Sequence, residues 1–500
     1  MNHPGSLSAT WIGISVFVAA LTVRVVILFI WPDMYWHDGF HRLAYADELV
    51  QGGTWLPLYQ GTLALLSTLT REPFWFRFLT SVYGSWAAAA GALFALGLYG
   101  RFGAWFAGLF LILCPLFLFE SSGLFQEPLL NALLLTAACC LQRGGKPAVL
   151  AALCCLFLAA CTRYEAWLVN GVACCWLLFH PRAAAHWHRR LLAIAWLALP
   201  ELAWIVWNHG LSPMGAQSLS PSLSPLRFLE YAIIWGKLLF QWIGLLPLLM
   251  MLFGFYSFCK ALWRQRPSLL SFDGEYAWLL IFSAILLLNF LLLAIAHPFY
   301  PTDNARGANL LVLLSLFFIL HGLTRARPRV RQWVSLALLI GLFLSSSHPI
   351  SLLRILDRSS HDFLAGLSVE VHQILAEEVS KIDHLLVVGE GFQAWPRIRT
   401  NETLSTIVGL RVHHHKVIGD YCLEANPAGK PTIEEWLTQE GVSHVLITKG
   451  WEPWRAIHDW ALSEANSGGS LELLAEGRFF RFFKRRKPAE EVGEQGVQPP

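Results

Sequence analysis

Long apolar runs separated by short polar connections fill the first 350 residues. Runs near spanning length, about 17–25 residues in a bilayer, fall at 11–31, 79–98, 103–119, 128–141, 147–161, 165–179, 191–207, 231–258, 276–296, 308–324 and 333–348. The runs at 128–141 and 147–161 are short for a full crossing, so either also fits a tilted or re-entrant element. The pattern predicts a polytopic α-helical membrane protein with about 11 spans. The N-terminus lacks a charged n-region and an A-x-A site, so the first run is expected to be a retained span and not a cleaved signal.

The pattern changes after about residue 360. Short β-like runs appear, "HLLVVG" (384–389) and "HVLITKG" (444–450), and "LELLAEGRFFRFFKRR" (471–486) predicts a hairpin. Between them "TIEEWLTQEG" (432–441) predicts a helix with Thr432 as N-cap and Glu435 three residues on, a capping box. The expected organisation is a membrane module over 1–350, with a first outer loop at 32–78, then a small extracytoplasmic α/β domain over 360–485. The polar tail 486–500 is expected to be disordered.

Charge gives this pattern a direction. With the N-terminus in the cytoplasm, alternate loops hold Arg101; Arg143 and Lys146; Arg182, Arg189 and Arg190; Lys260, Arg264 and Arg266; and Arg325, Arg327, Arg329 and Arg331. The opposite loops hold single basic residues beside acids: Arg163 with Glu165, Arg227 with Glu230, Arg306 with Asp303. The positive-inside rule then places the 32–78 loop and the C-terminal domain outside, and a bacterial inner membrane is the favoured setting. Composition agrees: 55% of residues are hydrophobic and 14% charged, against roughly 25% charged in soluble domains. Mean hydropathy is +0.48. A net charge of +3 is too small to indicate a nucleic-acid partner. Most of the ten cysteines lie inside apolar runs and no CxxC occurs, so neither a disulfide framework nor a zinc site is expected.

Ionisable residues at the outer ends of spans call for a reason, because lipid disfavours them. "YWHDGFHRLAYADELVQGG" (35–53) follows the first span and carries His37, Asp38, His41 and Arg42. Asp38 fits either an N-cap paired with Arg42 or a general base. "TREPFWFRF" (70–78) brings Arg71, Glu72 and Arg77 to the membrane surface, as snorkelling side chains or as phosphate contacts. "LFESSGLFQEPLLN" (118–131) carries Glu120 and Glu127, and Pro128 after Glu127 fits a helix start. "ACTRYEAW" (160–167) holds Arg163 and Glu165 in a tight turn, and "AHPFYPTDNARGANLL" (296–311) holds Asp303 and Arg306. An arginine such as Arg306 suits bidentate contact with a lipid phosphate or pyrophosphate. "RVHHHKV" (411–417) alternates its histidines across a strand, so no metal site is expected there.

The order of these motifs resembles the GT-C glycosyltransferase superfamily. Ala46, Glu48, Leu49, Gly53, Leu56 and Pro57 loosely match an A-x-E-L…G-x-W-L-P stretch; "REP", "QEPLLNALLLTAACCL", "TRYEAW" and "WNHGLSPMGAQ" (207–217) follow in order. Within the superfamily the likeness is to the family-39-like polyprenyl-phosphate-sugar transferases, which include protein O-mannosyltransferases and lipid A aminoarabinose transferases. It covers about the first 350 residues. The chain departs from that pattern where Gly39 follows Asp38, where Glu127 stands for a usual aspartate, and where Arg71 stands for a usual lysine.

The resemblance implies a sugar donor on a polyprenyl phosphate and an acceptor hydroxyl on a protein, glycan or lipid, joined with inversion on the outer face. Asp38, with Glu72 or Glu127, is the implied catalytic set. Arg71, Arg163, Arg306, His41 and Arg42 are implied donor-binding residues, with Glu165 and Asp303 in support. No cofactor is required; a divalent metal is possible but not indicated. Membrane lipid is a partner and nucleic acid is not. The rivals are a transporter or flippase of a lipid-linked glycan, a glycan ligase or polymerase, and a non-catalytic subunit of a cell-envelope assembly. Acids and arginines gathered on one face favour surface chemistry over a midplane transport site. Arg24, inside the first span, fits none of these.

Overall fold

A computed structural model of the chain describes residues 6–30, 56–70, 73–179, 187–207, 225–265, 274–295, 309–344, 385–388, 432–439, 441–448, 455–476 and 480–486. They group into two compact units, a helical one ending at residue 344 and an α/β one beginning at residue 385.

The helical unit runs α1 (Ser6–Ile30), α2 (Pro57–Ser67), α3 (Pro73–Leu113), α4 (Pro115–Ser122), α5 (Glu127–Arg143), α6 (Lys146–Ala160), α7 (Glu165–Phe179), α8 (Trp187–Trp207), α9 (Pro225–Ile243), α10 (Leu245–Gln265), α11 (Glu275–Ile295), α12 (Asn309–Arg325) and α13 (Pro328–Leu344). Three described helices are long and apolar enough to cross a membrane alone: Ser8–Ile30, Phe74–Leu113 and Leu245–Arg264. Shorter apolar helices lie at Lys146–Ala160, Glu165–Leu178, Glu275–Leu291 and Asn309–Arg325. The unit is a polytopic helical membrane fold.

Two interruptions shape its first half. Gly100 takes φ 68° and ψ −164° and folds α3 into two arms, a left-handed conformation natural to glycine. These arms match the expected runs 79–98 and 103–119, except that the second helix stops at Leu113. Cys114 is extended (φ −64°, ψ 121°) ahead of Pro115, because a residue before proline is driven out of the helical region. The apolar run 103–119 therefore contains a helix boundary. The next helix, α4, lasts eight residues and meets α5 at a bend of 116°.

Close packing uses small residues. A Cβ at Gly108 would sit 2.8 Å from Val16 of α1, and one at Gly254 on α10 would overlap the Phe318 carbonyl oxygen of α12. Gly322 approaches the Met250 carbonyl from the other side, with 3.2 Å left for a Cβ. Backbones this close are typical of membrane helix pairs, where packing and not water drives association.

The α/β unit comprises β1 (Leu385–Val388), α14 (Ile433–Gln439), β2 (His444–Thr448), α15 (Arg455–Asn466), β3 (Leu471–Glu476) and β4 (Phe480–Arg485). The sheet order is β1-β2-β4-β3, with β1 parallel to β2 and the other pairs antiparallel. The expected hairpin is β3–β4, with an irregularity between Leu473 and Ala475. The capping box is present: Thr432 N donates to Glu435 Oε2 at 2.8 Å and Glu435 N donates to Thr432 Oγ1 at 3.2 Å. Ile433, Leu437, Val445, Ile447, Leu471 and Phe483 form the core on one face. On the other face buried His444 and Phe482 stack at 5.5 Å.

Gly254→Ala is expected to lower stability by about 1–3 kcal/mol through overpacking. Gly171→Ala, whose Cβ meets open space, is expected to be neutral or to stabilise by about 0.5–1 kcal/mol. Thermal unfolding of the two variants in one detergent checks the contrast.

Candidate functional site

Residues 120–127 form the turn of the broken helix, and they bury more polar chemistry than any other described segment of comparable length. The turn is tight. Gly123 closes α4, its N–H donating to the Phe119 carbonyl at 2.9 Å. Leu124, fully buried, takes φ 63°, a sparsely populated conformation for a non-glycine residue. Pro128 stands in the first turn of α5, which begins at Glu127 as the sequence predicts.

The last carbonyls of α4 lie inside the unit and are met by neighbours. Arg77 of α3 donates from Nε to the Ser122 carbonyl at 2.8 Å. Ser81 Oγ donates to the Ser121 carbonyl at 3.2 Å. Arg24 of α1 donates from Nε to Ser121 Oγ at 2.8 Å, from Nη1 to the Ala20 carbonyl at 3.1 Å and from Nη2 to the Leu111 carbonyl at 3.3 Å. The structure thus gives Arg24 a place. It also corrects the surface reading of Arg77, which is 1% exposed and holds the turn. The physical reason is that a buried carbonyl without a partner costs more than extending an arginine to it.

Two carboxylates flank the turn. Glu127 is 1% exposed and meets Arg163 Nη1 through Oε1. Arg163 engages Glu165 as a fork, Nε to Oε2 at 2.8 Å and Nη2 to Oε1. Each of its three nitrogens therefore faces a carboxylate oxygen. The tight turn after α6 holds Arg163 in place, with its N–H on the Ala159 carbonyl at 3.2 Å and its carbonyl accepting from Ala166 at 3.1 Å. The start of α2 packs on the same turn, since Leu58 N donates to the Cys161 carbonyl at 2.9 Å. On the other flank Glu120, 2% exposed, accepts through Oε2 from Asn309 Nδ2 at the first residue of α12.

Of the sequence-predicted site, the structure brings Glu127, Arg163 and Glu165 into one ion-paired cluster. Asp38, His41, Arg42, Arg71, Glu72, Asp303 and Arg306 lie outside the described residues, as does the 411–417 histidine run. Sequence reasoning singled out Arg24 without giving it a role, and it missed Ser121, Asn131 and Asn309. The signal for the first was a charged residue in an apolar run; the others are small polar residues of a kind common in spans. Among the described residues no three His, Cys, Asp or Glu side chains are grouped to hold a metal. The arrangement can hold carboxylates rigidly, as proton or hydroxyl acceptors, at the end of a helix break.

No family model and no curated protein matches the chain. Solved structures do. ArnT from Cupriavidus metallidurans bound to undecaprenyl phosphate superposes with a TM-score of 0.57 at 15% identity, covering 94% of this chain and 97% of that one. The apo form of the same protein gives 0.55 at 16%, covering 96% and 98%. At that identity the likeness is one of fold. The chain shares the overall fold of these ArnT structures.

Removing one partner of a buried ion pair leaves the other charge uncompensated. Arg163→Met is therefore expected to cost about 3–5 kcal/mol of stability. The double variant Arg163→Met/Glu127→Gln is expected to lose less than the single one. Thermal unfolding of wild type, both singles and the double closes the cycle.

Proposed function

We propose that this chain is an integral-membrane glycosyltransferase of the GT-C type. It moves a sugar from a polyprenyl-phosphate donor to an acceptor hydroxyl on the extracytoplasmic face, with inversion. The observation that carries the reading is the Glu127–Arg163–Glu165 cluster, with Glu127 and Arg163 buried, at a helix break in a fold shared with a protein crystallised with undecaprenyl phosphate. The sidedness comes from the lysine and arginine pattern. It puts the α/β unit outside, and the apolar runs make the span count about 11.

In this reading Asp38 accepts the proton of the acceptor hydroxyl as its oxygen attacks the anomeric carbon. The bond from that carbon to the phosphate oxygen breaks, and its electron pair leaves on the phosphate. The leaving group is already acidic, so it needs charge stabilisation and no proton. Arg71 and Arg306 supply that charge, with His41 and Arg42 at the donor. Arg163 contributes differently from the expectation of a phosphate ligand. With its nitrogens on two carboxylates, it holds Glu127 fixed, as an acceptor for hydroxyls of sugar or acceptor. Glu72 shares that task, and Glu165 and Asp303 restrain the arginines. No step calls for a cofactor.

A second reading draws on the same break. Discontinuous helices with buried charge also build the substrate sites of transporters, so a flippase of a lipid-linked glycan shares this feature. Transfer of radiolabelled sugar from a panel of polyprenyl-phosphate sugars to a membrane extract separates the two. Wild type is expected to transfer label, and Asp38→Asn to lose about 10²–10⁴-fold in rate, the range of general-base catalysis. Equal transfer by Asp38→Asn moves the base to Glu72 or Glu127. No transfer from any donor by folded protein favours the flippase or a non-catalytic subunit.

A further inference from the structure

Arg24 has more donors than its bonds use. A guanidinium carries five N–H groups, and three of them serve Ser121 Oγ and the Ala20 and Leu111 carbonyls. Among the described residues one hydrogen on each Nη is left over, in a side chain 1% exposed. Beside it lies a small cavity lined by Arg24, Gly84, Ala88, Glu120, Pro128 and Asn131, among others. About 10 Å³ of it is open to the centre of a water-sized sphere, which is room for one water molecule. Asn131 is 2% exposed and its Oδ1 has no hydrogen-bond partner among the described residues. The cavity thus joins spare donors on Arg24, a carboxylate on Glu120 and an acceptor in need of a proton on Asn131.

We propose that this cavity is a water site, and that its water bridges Arg24 and Glu120 into a buried ion pair while donating to Asn131 Oδ1. The water accepts from a guanidinium N–H and gives its two protons to Glu120 and Asn131. One molecule thus makes three hydrogen bonds, the partner count usual for buried water. The site lies between α1, α3, α4 and α5 and props the first turn of α5 through Pro128 and Asn131. Glu127 stands on that turn. Resting on the glycosyltransferase reading, the water site positions Glu127 from beneath while Arg163 holds its head.

The alternative is a dry cavity, in which Asn131 carries a stranded acceptor. The two states reverse the order of two substitutions. Asn131→Leu keeps the volume and removes the amide; it relieves a stranded acceptor but evicts the partner of a bound water. Asn131→Ser keeps an acceptor oxygen and leaves the space wet. The full-length protein is purified as wild type and as both variants, and unfolding temperatures are compared, or folded monodisperse yield where a variant is too unstable to heat. A bound water predicts both below wild type, with Asn131→Ser above Asn131→Leu. Asn131→Leu equal to or above Asn131→Ser overturns the water site. A cycle of Arg24→Met, Glu120→Gln and their combination tests the bridge: the double loss is expected to be smaller than the sum, and simple additivity overturns the ion pair. These rankings are read whether or not any donor supports transfer, so failure here is distinct from failure of the glycosyltransferase reading.

Discussion

A helix broken inside an apolar bundle leaves backbone carbonyls that only the protein can satisfy. In water such groups cost little, because solvent completes them. In a bilayer each unsatisfied group costs several kcal/mol, a sizeable share of the 5–15 kcal/mol by which folded domains typically outlast their unfolded chains. The break between α4 and α5 sets this problem at Ser121 and Ser122, and Arg77, Ser81 and Arg24 answer it. Two helices from different parts of the chain, α1 and α3, are thereby tied to one turn. Much of the packing around it follows: Gly84 has no side chain because Arg24 Nε and Ser121 would lie 2.8 and 2.6 Å from a Cβ there.

Satisfying carbonyls with arginines imports charge into a medium that disfavours it, and two carboxylates lie at the same turn. Glu127 is matched by Arg163, and Glu120 shares a cavity with Arg24. A desolvated ion pair seldom adds net stability over an apolar pair of the same shape. Its presence is better explained by what a fixed carboxylate can do. The strain at Leu124 points the same way, since a left-handed leucine persists only where its surroundings over-determine it. Stability has been spent on placing polar groups.

The sequence made some of this legible and hid the rest for physical reasons. Glu127 and Pro128 marked a helix start because proline's missing N–H and an acid both suit the first turn, and α5 begins there. Thr432 and Glu435 marked a cap by a local three-residue rule, and the alternation in 471–486 marked a hairpin. Such signals act between near neighbours. The break at Cys114 was hidden because hydropathy is blind to it: Leu113, Cys114, Pro115 and Leu116 read as one apolar run. Arg77 looked like an interfacial side chain because its partner, the Ser122 carbonyl, is a backbone atom 45 positions away. Glu120 and Asn309 are separated by 189 positions, and no local pattern joins them.

The same distinction accounts for a fold shared at 15% identity. What the architecture demands is positional and weakly tied to residue type: apolar runs of sufficient length, a proline or glycine where a helix must stop, and some donor within reach of each interrupted carbonyl. A serine hydroxyl, an arginine nitrogen or an asparagine amide meets the last demand equally well. Sequences can therefore drift far while the break stays in place. What cannot drift so freely is the charge balance at the turn, because each buried ion is tolerable only beside its counter-ion. Arg163 between two glutamates is such a constraint in this chain. If the chemistry of the site lies at the turn, changes there come in compensating pairs, and a lone change at Glu127 or Arg163 disturbs fold and function together.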